Sequence, residues 1–210
     1  MPKNKLLATA LLILLCVGVV SALRMMRPSP ESLLKKRIAE RSLGPSNAPV
    51  QIEEYLDYQC PPCGTARKLI DEAMKKYPGK IHLQVHYFPL PSHRNGLTAA
   101  VHAECVSRQK GKYWKFHEQL FEHQPEWAND AYAELKLLNY AQESGMDLKV
   151  WDVCVKDPET AKFVLDEKAK GAALGVATTP SFFINGKLSV GTNGLMEELK
   201  KLENKDDASS

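Results

Sequence analysis

The chain has 210 residues, of which 44% are hydrophobic and 25% charged, a composition typical of a globular protein with one sizeable core. Its formal net charge is +3, but the first 27 positions contain four basic residues and no acid, so the rest of the chain carries a net charge of −1. This nearly neutral body excludes the strongly basic surface of a nucleic-acid-binding protein, and no nucleic acid is expected as a partner.

The N-terminus has the pattern of an export signal. Lys3 and Lys5 precede an almost unbroken apolar run from Leu6 to Leu23, which predicts that the following chain crosses a membrane. Val20-Ser21-Ala22 resembles a cleavage site, whereas the run is close in length to a membrane span. Residues 1–23 are therefore either a signal peptide or a membrane anchor, and disulfides are expected to persist in the exported chain.

Residues 24–46 have the pattern of a linker that contains one short helix. The helix is predicted from Glu31 to Leu43, between Ser29-Pro30 and Gly44-Pro45. It is interpreted as a spacer that packs on the following domain, or alternatively as an oligomerising stalk.

A strand–helix–strand unit follows the linker. Val50 to Tyr58 alternates as a strand and places Glu54 on its apolar face, although a shift of one residue would place Glu53 there instead. The segment after Cys63 has helical spacing through Tyr77, and Ile81 to Phe88 alternates again. A crossover of this length predicts a parallel, right-handed pair of strands.

The second half of the chain is first helical and then returns to strands. Helical faces and turn residues alternate from Leu97 to Gly171. Two short strand patterns, Pro180 to Ile184 and Lys187 to Val190, flank Asn185-Gly186, which predicts a hairpin. A last amphipathic helix is predicted from Leu195 to Leu202.

Cys60-Pro61-Pro62-Cys63 lies where the first strand pattern gives way to the helix. At a helix N-terminus, backbone N–H groups and the helix dipole stabilise a thiolate, so this pair is a candidate redox centre. The same spacing also occurs in half of a zinc site, but the other cysteines, Cys16, Cys105 and Cys154, are isolated in sequence. His82 and His86 share a strand face without a further ligand at suitable spacing, so neither a metal nor another cofactor is predicted.

Five stretches in the same order resemble the DsbA-like disulfide oxidoreductases of bacterial cell envelopes. They span roughly Gly44 to Leu199 and comprise Asn47 to Val50, Tyr58 to Gly64, Phe88 to Leu90, Ala103 to Phe116, and Gly175 to Gly186. The resemblance implies an α/β thioredoxin fold formed by residues 47–96 and 172–204, with an inserted helical domain at 97–171 and the signal or anchor segment before it.

The resemblance also implies the roles of the active-site residues. Cys60 would be the exposed nucleophile that forms a mixed disulfide, and Cys63 the thiol that resolves it. Pro180 would be a cis-proline that, with Thr179, faces the cysteines and pairs with the substrate backbone. Pro61 and Pro62 are expected to contribute to the same substrate-binding surface.

Two further expectations follow from the family. Glu54 matches a buried acid that accepts and relays the proton of Cys63, with a salt-bridged or solvent-facing strand acid as the alternative. Cys105 and Cys154 match a second, structural disulfide between two helices of the insert, with two buried free thiols as the alternative.

The sequence departs from the strongest oxidases of the family, which carry a histidine between the cysteines. Pro61 and Pro62 remove two backbone N–H groups and supply no imidazolium, so the Cys60 thiolate is expected to be less stabilised and the disulfide less oxidising.

The resemblance implies an exported enzyme that exchanges disulfides with protein substrates and is reset by a membrane redox partner. It would act in the periplasm or on the extracytoplasmic face of the membrane, and would form disulfides in cell-envelope proteins. A disulfide isomerase or reductase of the same fold is the first alternative. A non-enzymatic module that binds a metal or a partner protein is the second.

Overall fold

The computed structural model describes residues 12–19, 21 and 29–207, and divides the chain into two units, Met1–Lys36 and Arg37–Ser210. Residues 12–19 are helical, while the rest of the apolar run and most of the segment 1–23 lie outside the described residues. Within the described ranges, no helix has the length and apolarity that a bilayer span requires.

The order of helices and strands agrees with the predicted thioredoxin-like fold, with several helices between the third and fourth strands. In chain order the elements are α1 (Pro30–Glu40), β1 (Ser42–Leu43), β2 (Val50–Leu56), α2 (Pro61–Lys76), β3 (Ile81–Tyr87), α3 (Gly96–Ser107), α4 (Tyr113–Glu122), α5 (Gln124–Trp127), α6 (Ala133–Glu143), α7 (Leu148–Lys156), α8 (Pro158–Ala173), β4 (Ser181–Ile184), β5 (Lys187–Val190) and α9 (Gly191–Asp207).

The strands form one mixed sheet in the order β1-β3-β2-β4-β5. β2 and β3 are parallel, with Ile52 opposite Leu83, and α2 is the crossover between them. β4 lies antiparallel to β2, with Ile52 opposite Ile184, and forms the predicted hairpin with β5. The predicted α/β thioredoxin fold with helices inserted into it is confirmed.

The predicted bounds of two helices are wrong. α1 ends at Glu40 instead of Leu43. Arg41 is buried in the protein interior, and Ser42–Leu43 pair with β3 as an antiparallel edge strand, which ends the helix. The last helix, α9, runs from Gly191 to Asp207 and is longer at both ends than the predicted Leu195 to Leu202. Gly191 has a positive φ of 74°, a backbone conformation that glycine adopts without strain, and its N–H donates to the carbonyl oxygen of Pro180.

Alternation along β2 decides which acid is buried. Ile52, Glu54 and Leu56 are buried, while Glu53 is exposed. The face that carries Glu54 joins the main core, which includes residues of α2 and of the inserted helices. The opposite face of the sheet packs a smaller apolar cluster around Tyr55. Glu54 therefore lies beneath α2 and inside the main core.

A disulfide joins Cys105 on α3 to Cys154 on α7, with an S–S distance of 2.04 Å. α3 is buried over most of its length, and it packs against α4, α6, α7 and α8. The disulfide therefore links the central helix of the insert to one of the outer ones.

Loss of the Cys105–Cys154 disulfide is expected to lower the free energy of unfolding by about 2–4 kcal/mol, because the bond closes a loop with a sequence separation of 49. The measurement is urea denaturation of Cys60→Ala/Cys63→Ala protein, with and without reductant. A further variant lacking Cys105 and Cys154 should match the reduced sample and should not respond to reductant. Equal unfolding midpoints before and after reduction would contradict a stabilising role.

Candidate active site

Cys60 and Cys63 lie at the start of α2. Cys60 is the N-cap residue, with extended backbone angles (φ −75°, ψ 115°), and Pro61 and Pro62 take up the first helical positions. Prolines fit there because the first N–H groups of a helix have no partner within the helix. The N–H of Cys63 donates to the carbonyl oxygen of Cys60 over 3.1 Å, and both cysteines are free thiols.

Cys60 is less accessible than the family resemblance implies. Only 5% of its surface is exposed, and Cys63 is fully buried. Sγ of Cys60 lies 3.4 Å from the carbonyl oxygen of Thr179 in the loop before β4, to which it donates when it is protonated. The expectation of an exposed Cys60 is therefore wrong for this dithiol form, although Cys60 remains the more accessible sulfur of the pair.

The loop opposite the cysteines contains a cis peptide bond between Thr179 and Pro180. Both residues are buried, and the hydroxyl of Thr179 has no hydrogen-bond partner within the described residues. Pro61 and Pro62 are exposed. Pro61-Pro62 follow Cys60 directly in the chain, and Thr179 contacts its sulfur from the loop before β4.

The two thiols have opposite electrostatic environments. A hydrogen bond from the Cys63 thiol, together with contacts from Thr179 and the Cys63 backbone, lowers the pKa of Cys60 to about 6, against the opposing effects of burial and of the Asp57 charge. Burial, the neighbouring Cys60 and the charge of Glu54 raise the pKa of Cys63 well above its ordinary value. At neutral pH, Cys60 is the thiolate and Cys63 keeps its proton.

Glu54 is a buried carboxyl group beneath the two cysteines. Its Oε1 atom has no hydrogen-bond partner within the described part of the chain. Burial, reinforced by the charges of Asp71 and Cys60 and opposed by Arg67, raises the pKa of Glu54 to about 8. A carboxyl group with this pKa can both take up and release a proton near neutral pH.

Sequence reasoning missed Asp57, which organises the turn before Cys60. One carboxylate oxygen accepts from the N–H of Gln59 over 2.8 Å, and the other accepts from the N–H of Leu90 and from Nδ1 of His93, each over 2.7 Å. An aspartate that accepts from the N–H two residues later forms an Asx turn, and this local pattern was the available signal. The contacts of Asp57 with Leu90 and His93 could not be predicted from the local sequence pattern.

Tyr58 connects the same turn to the inserted helices. Its hydroxyl lies 2.8 Å from the hydroxyl of Tyr113 and 3.1 Å from Nδ1 of His117, and all three side chains are buried. Burial, with a smaller effect of Arg67, lowers the pKa of His117 to about 3, so the imidazole is neutral. α4, which carries Tyr113 and His117, therefore packs on the core.

The histidines that the sequence places on β3 have other contacts. Nδ1 of His82 lies 3.1 Å from the carbonyl oxygen of Gly44, and the His86 ring stacks on Tyr55. In the part of the chain that the structure describes, no group of three or more His, Cys, Asp or Glu side chains is arranged to bind a metal ion.

The sequence model of the thioredoxin family matches residues 36–203, and the chain belongs to this family. Its fold is that of the DsbA-like proteins. The α-DsbA1 structure from Wolbachia pipientis superimposes with a TM-score of 0.66, covering 89% of this chain and 98% of that one at 23% sequence identity.

Curated relatives include proteins of two kinds. The chain is 26% identical over 174 residues to the Bacillus anthracis protein named "Probable disulfide bond formation protein D", covering 80% of this chain and 78% of that protein. It is 31% identical over 144 residues to the Na(+)/H(+) antiporter NhaA 3 of Salinispora tropica, covering 69% of this chain. The chain spans only about a fifth of the antiporter, since the match covers 21% of it.

Proposed function

We propose that the chain is a thiol:disulfide oxidoreductase that exchanges disulfides with exported proteins, in the direction that forms disulfides in cell-envelope proteins. The observation that carries this proposal is the contrast between the two thiols. The Cys60 pKa of about 6 supports a thiolate that is a good nucleophile and a good leaving group. The buried Cys63, whose pKa is raised partly by the charge of Glu54, retains its proton.

Donation of a disulfide begins with the Cys60–Cys63 bond. A substrate thiolate attacks Sγ of Cys60, the bond between Cys60 and Cys63 breaks, and its electron pair goes to Cys63. Protonated Glu54 supplies the proton that Cys63 then carries. A second substrate thiolate attacks the substrate sulfur of the mixed disulfide and releases the Cys60 thiolate. The substrate loses two electrons, and the cysteine pair gains them.

The reverse reaction uses the same groups. The Cys60 thiolate attacks a substrate disulfide, and one substrate sulfur leaves as a thiolate. Ionised Glu54 takes the proton of Cys63, which attacks Sγ of Cys60 and releases the second substrate thiolate. This direction is the second candidate function, isomerase or reductase. Pro61-Pro62 leaves it open, because the Cys60 pKa of about 6 lies well above the roughly 3.5 of the most acidic oxidase of this type.

The proposed setting follows from the N-terminal sequence pattern. Residues 1–23 would direct export, and the remaining chain would act in the periplasm or on the extracytoplasmic face of the membrane. A membrane redox partner would return the Cys60–Cys63 pair to its disulfide form. Residues 47–96 and 172–204 would form the thioredoxin-like domain and residues 97–171 the inserted one.

The function is tested by trapping. Cys63→Ala protein should accumulate mixed disulfides between Cys60 and its substrates, because the resolving thiol is absent. Cys60→Ala/Cys63→Ala protein is the matched control and should trap nothing. The wild-type protein should catalyse insulin reduction or the refolding of scrambled ribonuclease. Absence of activity in both assays, with a metal ion bound at a one-to-one ratio, would favour the non-enzymatic module instead.

A further inference from the structure

A glutamine from the inserted helices contacts the turn that carries the nucleophile. Gln124 begins α5, and its Nε2 atom donates to the carbonyl oxygen of Tyr58 over 2.6 Å and to that of Cys60 over 3.0 Å. The residue is buried, with 9% of its surface exposed. One amide group therefore satisfies the carbonyl groups on both sides of Gln59.

The position of Gln124 is tied to the start of α2. A β-carbon placed at Gly64, the residue after Cys63, would lie 3.9 Å from Oε1 of Gln124 and 3.5 Å from Phe121, which are ordinary van der Waals distances. The amide of Gln124 therefore lies beside the first turn of α2.

The electrostatic effect of these hydrogen bonds depends on the two prolines. In an ordinary helix start, the N–H groups of the first positions surround the N-cap residue with partial positive charge. Pro61 and Pro62 have no N–H groups, so this contribution is reduced here. The carbonyl oxygens of Tyr58 and Cys60 carry partial negative charge close to the Cys60 sulfur, and a hydrogen-bond donor on each of them offsets that charge.

We propose that Gln124 is a positioning residue for thiol–disulfide exchange, which fixes the Tyr58–Cys60 turn and favours the thiolate at Sγ of Cys60 by donating both amide hydrogens to its carbonyl groups. The inference rests on the proposed function, and it assigns the inserted domain a part in setting the reduction potential. Gln124 does not touch the reacting atoms, so its effect is transmitted through the backbone of residues 58–60.

Gln124→Met tests the proposal, because methionine has a similar length and no donor. We expect the pKa of Cys60, measured by the ultraviolet absorbance of the thiolate, to rise by about one unit. Because a less stable thiolate destabilises the reduced form, the equilibrium constant with glutathione should change by about fivefold at neutral pH, which makes the pair less oxidising by about 20 mV. Gln124→Glu keeps the shape of the side chain, loses the amide donors and should raise the pKa at least as far.

Gln119→Met is the matched control. Gln119 also belongs to the insert and is also 9% exposed, but its amide contacts Glu143 and Ser144 instead of the active-site turn. This variant should lose stability while keeping the wild-type Cys60 pKa and glutathione equilibrium.

Two results would overturn the role of Gln124. The first is a Gln124→Met protein that is destabilised like Gln119→Met and has an unchanged Cys60 pKa and equilibrium constant. The second is a Gln124→Glu protein in which the pKa of Cys60 is unchanged. This result decides the question if Gln124→Met does not fold. Since the thiolate titration requires no substrate, inactivity of the wild-type protein in both the insulin and the scrambled-ribonuclease assays would reject the proposed function separately.

Discussion

Replacement of Glu54 by glutamine is expected to slow the attack of Cys63 on the mixed disulfide by about 100-fold, the size of effect associated with a positioned acid–base group. In the wild-type protein the rate of this step should rise with pH through a midpoint no higher than about 8, because ionised Glu54 must accept the Cys63 proton. Burial raises the pKa of Glu54 to about 8 in the dithiol form, and the Cys60 charge that adds to this shift is absent from the mixed disulfide. Glutamine cannot accept the proton, so this pH-dependent phase should disappear from the variant.

The measurement is the release of a thiol-labelled peptide from a mixed disulfide preformed at Cys60, followed between pH 6 and 9. Glu53→Gln is the matched control, because Glu53 is the adjacent residue on β2 and its side chain is exposed. It should release the peptide at the wild-type rate. Equal rates for Glu54→Gln and Glu53→Gln across the pH range would exclude a proton-transfer role for Glu54.

The same substitution has a consequence for stability. Glu54 has a raised pKa in the folded dithiol form, so the folded state keeps a proton that the unfolded state loses above about pH 4.5. The free energy of unfolding should therefore fall as the pH rises from about 4.5 to about 8, by roughly 3 kcal/mol at pH 7. Glu54→Gln should lack this slope and be the more stable protein at neutral pH.

The sheet and the position of Glu54 could be predicted because they depend on local alternation. Val50 to Leu56 and Ile81 to Tyr87 have the two-residue period of strands, and one buried face fixes the register that separates Glu54 from Glu53. The order of strand, Cys-x-x-Cys helix and strand then determines where the cysteines lie relative to that acid.

The contacts that organise the turn before Cys60 could not be predicted in the same way. Gln124 and His93 reach this turn from segments 64 and 36 residues away, and each presents a common polar side chain in a helix or loop. Periodicity identifies a buried face, but it does not identify the backbone carbonyl or carboxylate that a particular polar side chain will meet. The roles of these residues depend on tertiary packing of the insert against the start of α2.

Arg41 illustrates how such a long-range contact changes local structure. Its guanidinium forms a bidentate pair with Glu167 on α8, with N–O distances of 2.7 and 2.8 Å, and also donates to the carbonyl oxygen of Val85 over 3.2 Å. The guanidinium lies 4.4 Å from the centre of the Tyr87 ring. Both charged side chains are buried, so the pair fastens the edge of the sheet at β1 and β3 to an inserted helix.

Breaking this pair is expected to lower the free energy of unfolding more than loss of the Cys105–Cys154 disulfide does. Arg41→Met should lower the free energy of unfolding by about 3–5 kcal/mol, because Glu167 would remain buried without its counter-charge. Glu167→Gln should be similarly destabilising. The double variant Arg41→Met/Glu167→Leu should recover much of the loss, since no uncompensated charge remains in the interior.

Acid unfolding provides a second measurement of the same pair. Burial opposes ionisation of Glu167, but Arg41 and His86 outweigh it and lower the pKa of Glu167 to about 2. As the pH falls, Glu167 therefore binds a proton at a higher pH in the unfolded state than in the folded state. The stability contributed by this group should be complete above about pH 4.5 and should be lost as the pH falls through about 2. Glu167→Gln should lack this part of the acid dependence.

A second ion pair on the same helix tests whether the stability lost in Arg41→Met depends on the burial of the Arg41–Glu167 pair or on charge pairing alone. Lys162 and Asp166 lie one turn apart on α8, with Nζ of Lys162 2.6 Å from Oδ2 of Asp166. Both side chains are largely exposed. Lys162→Met should leave the free energy of unfolding unchanged within error, because solvent replaces the lost partner and screens the remaining charge. An Arg41→Met variant as stable as Lys162→Met would mean that water reaches Glu167, and that the β1 edge is held by its backbone hydrogen bonds alone.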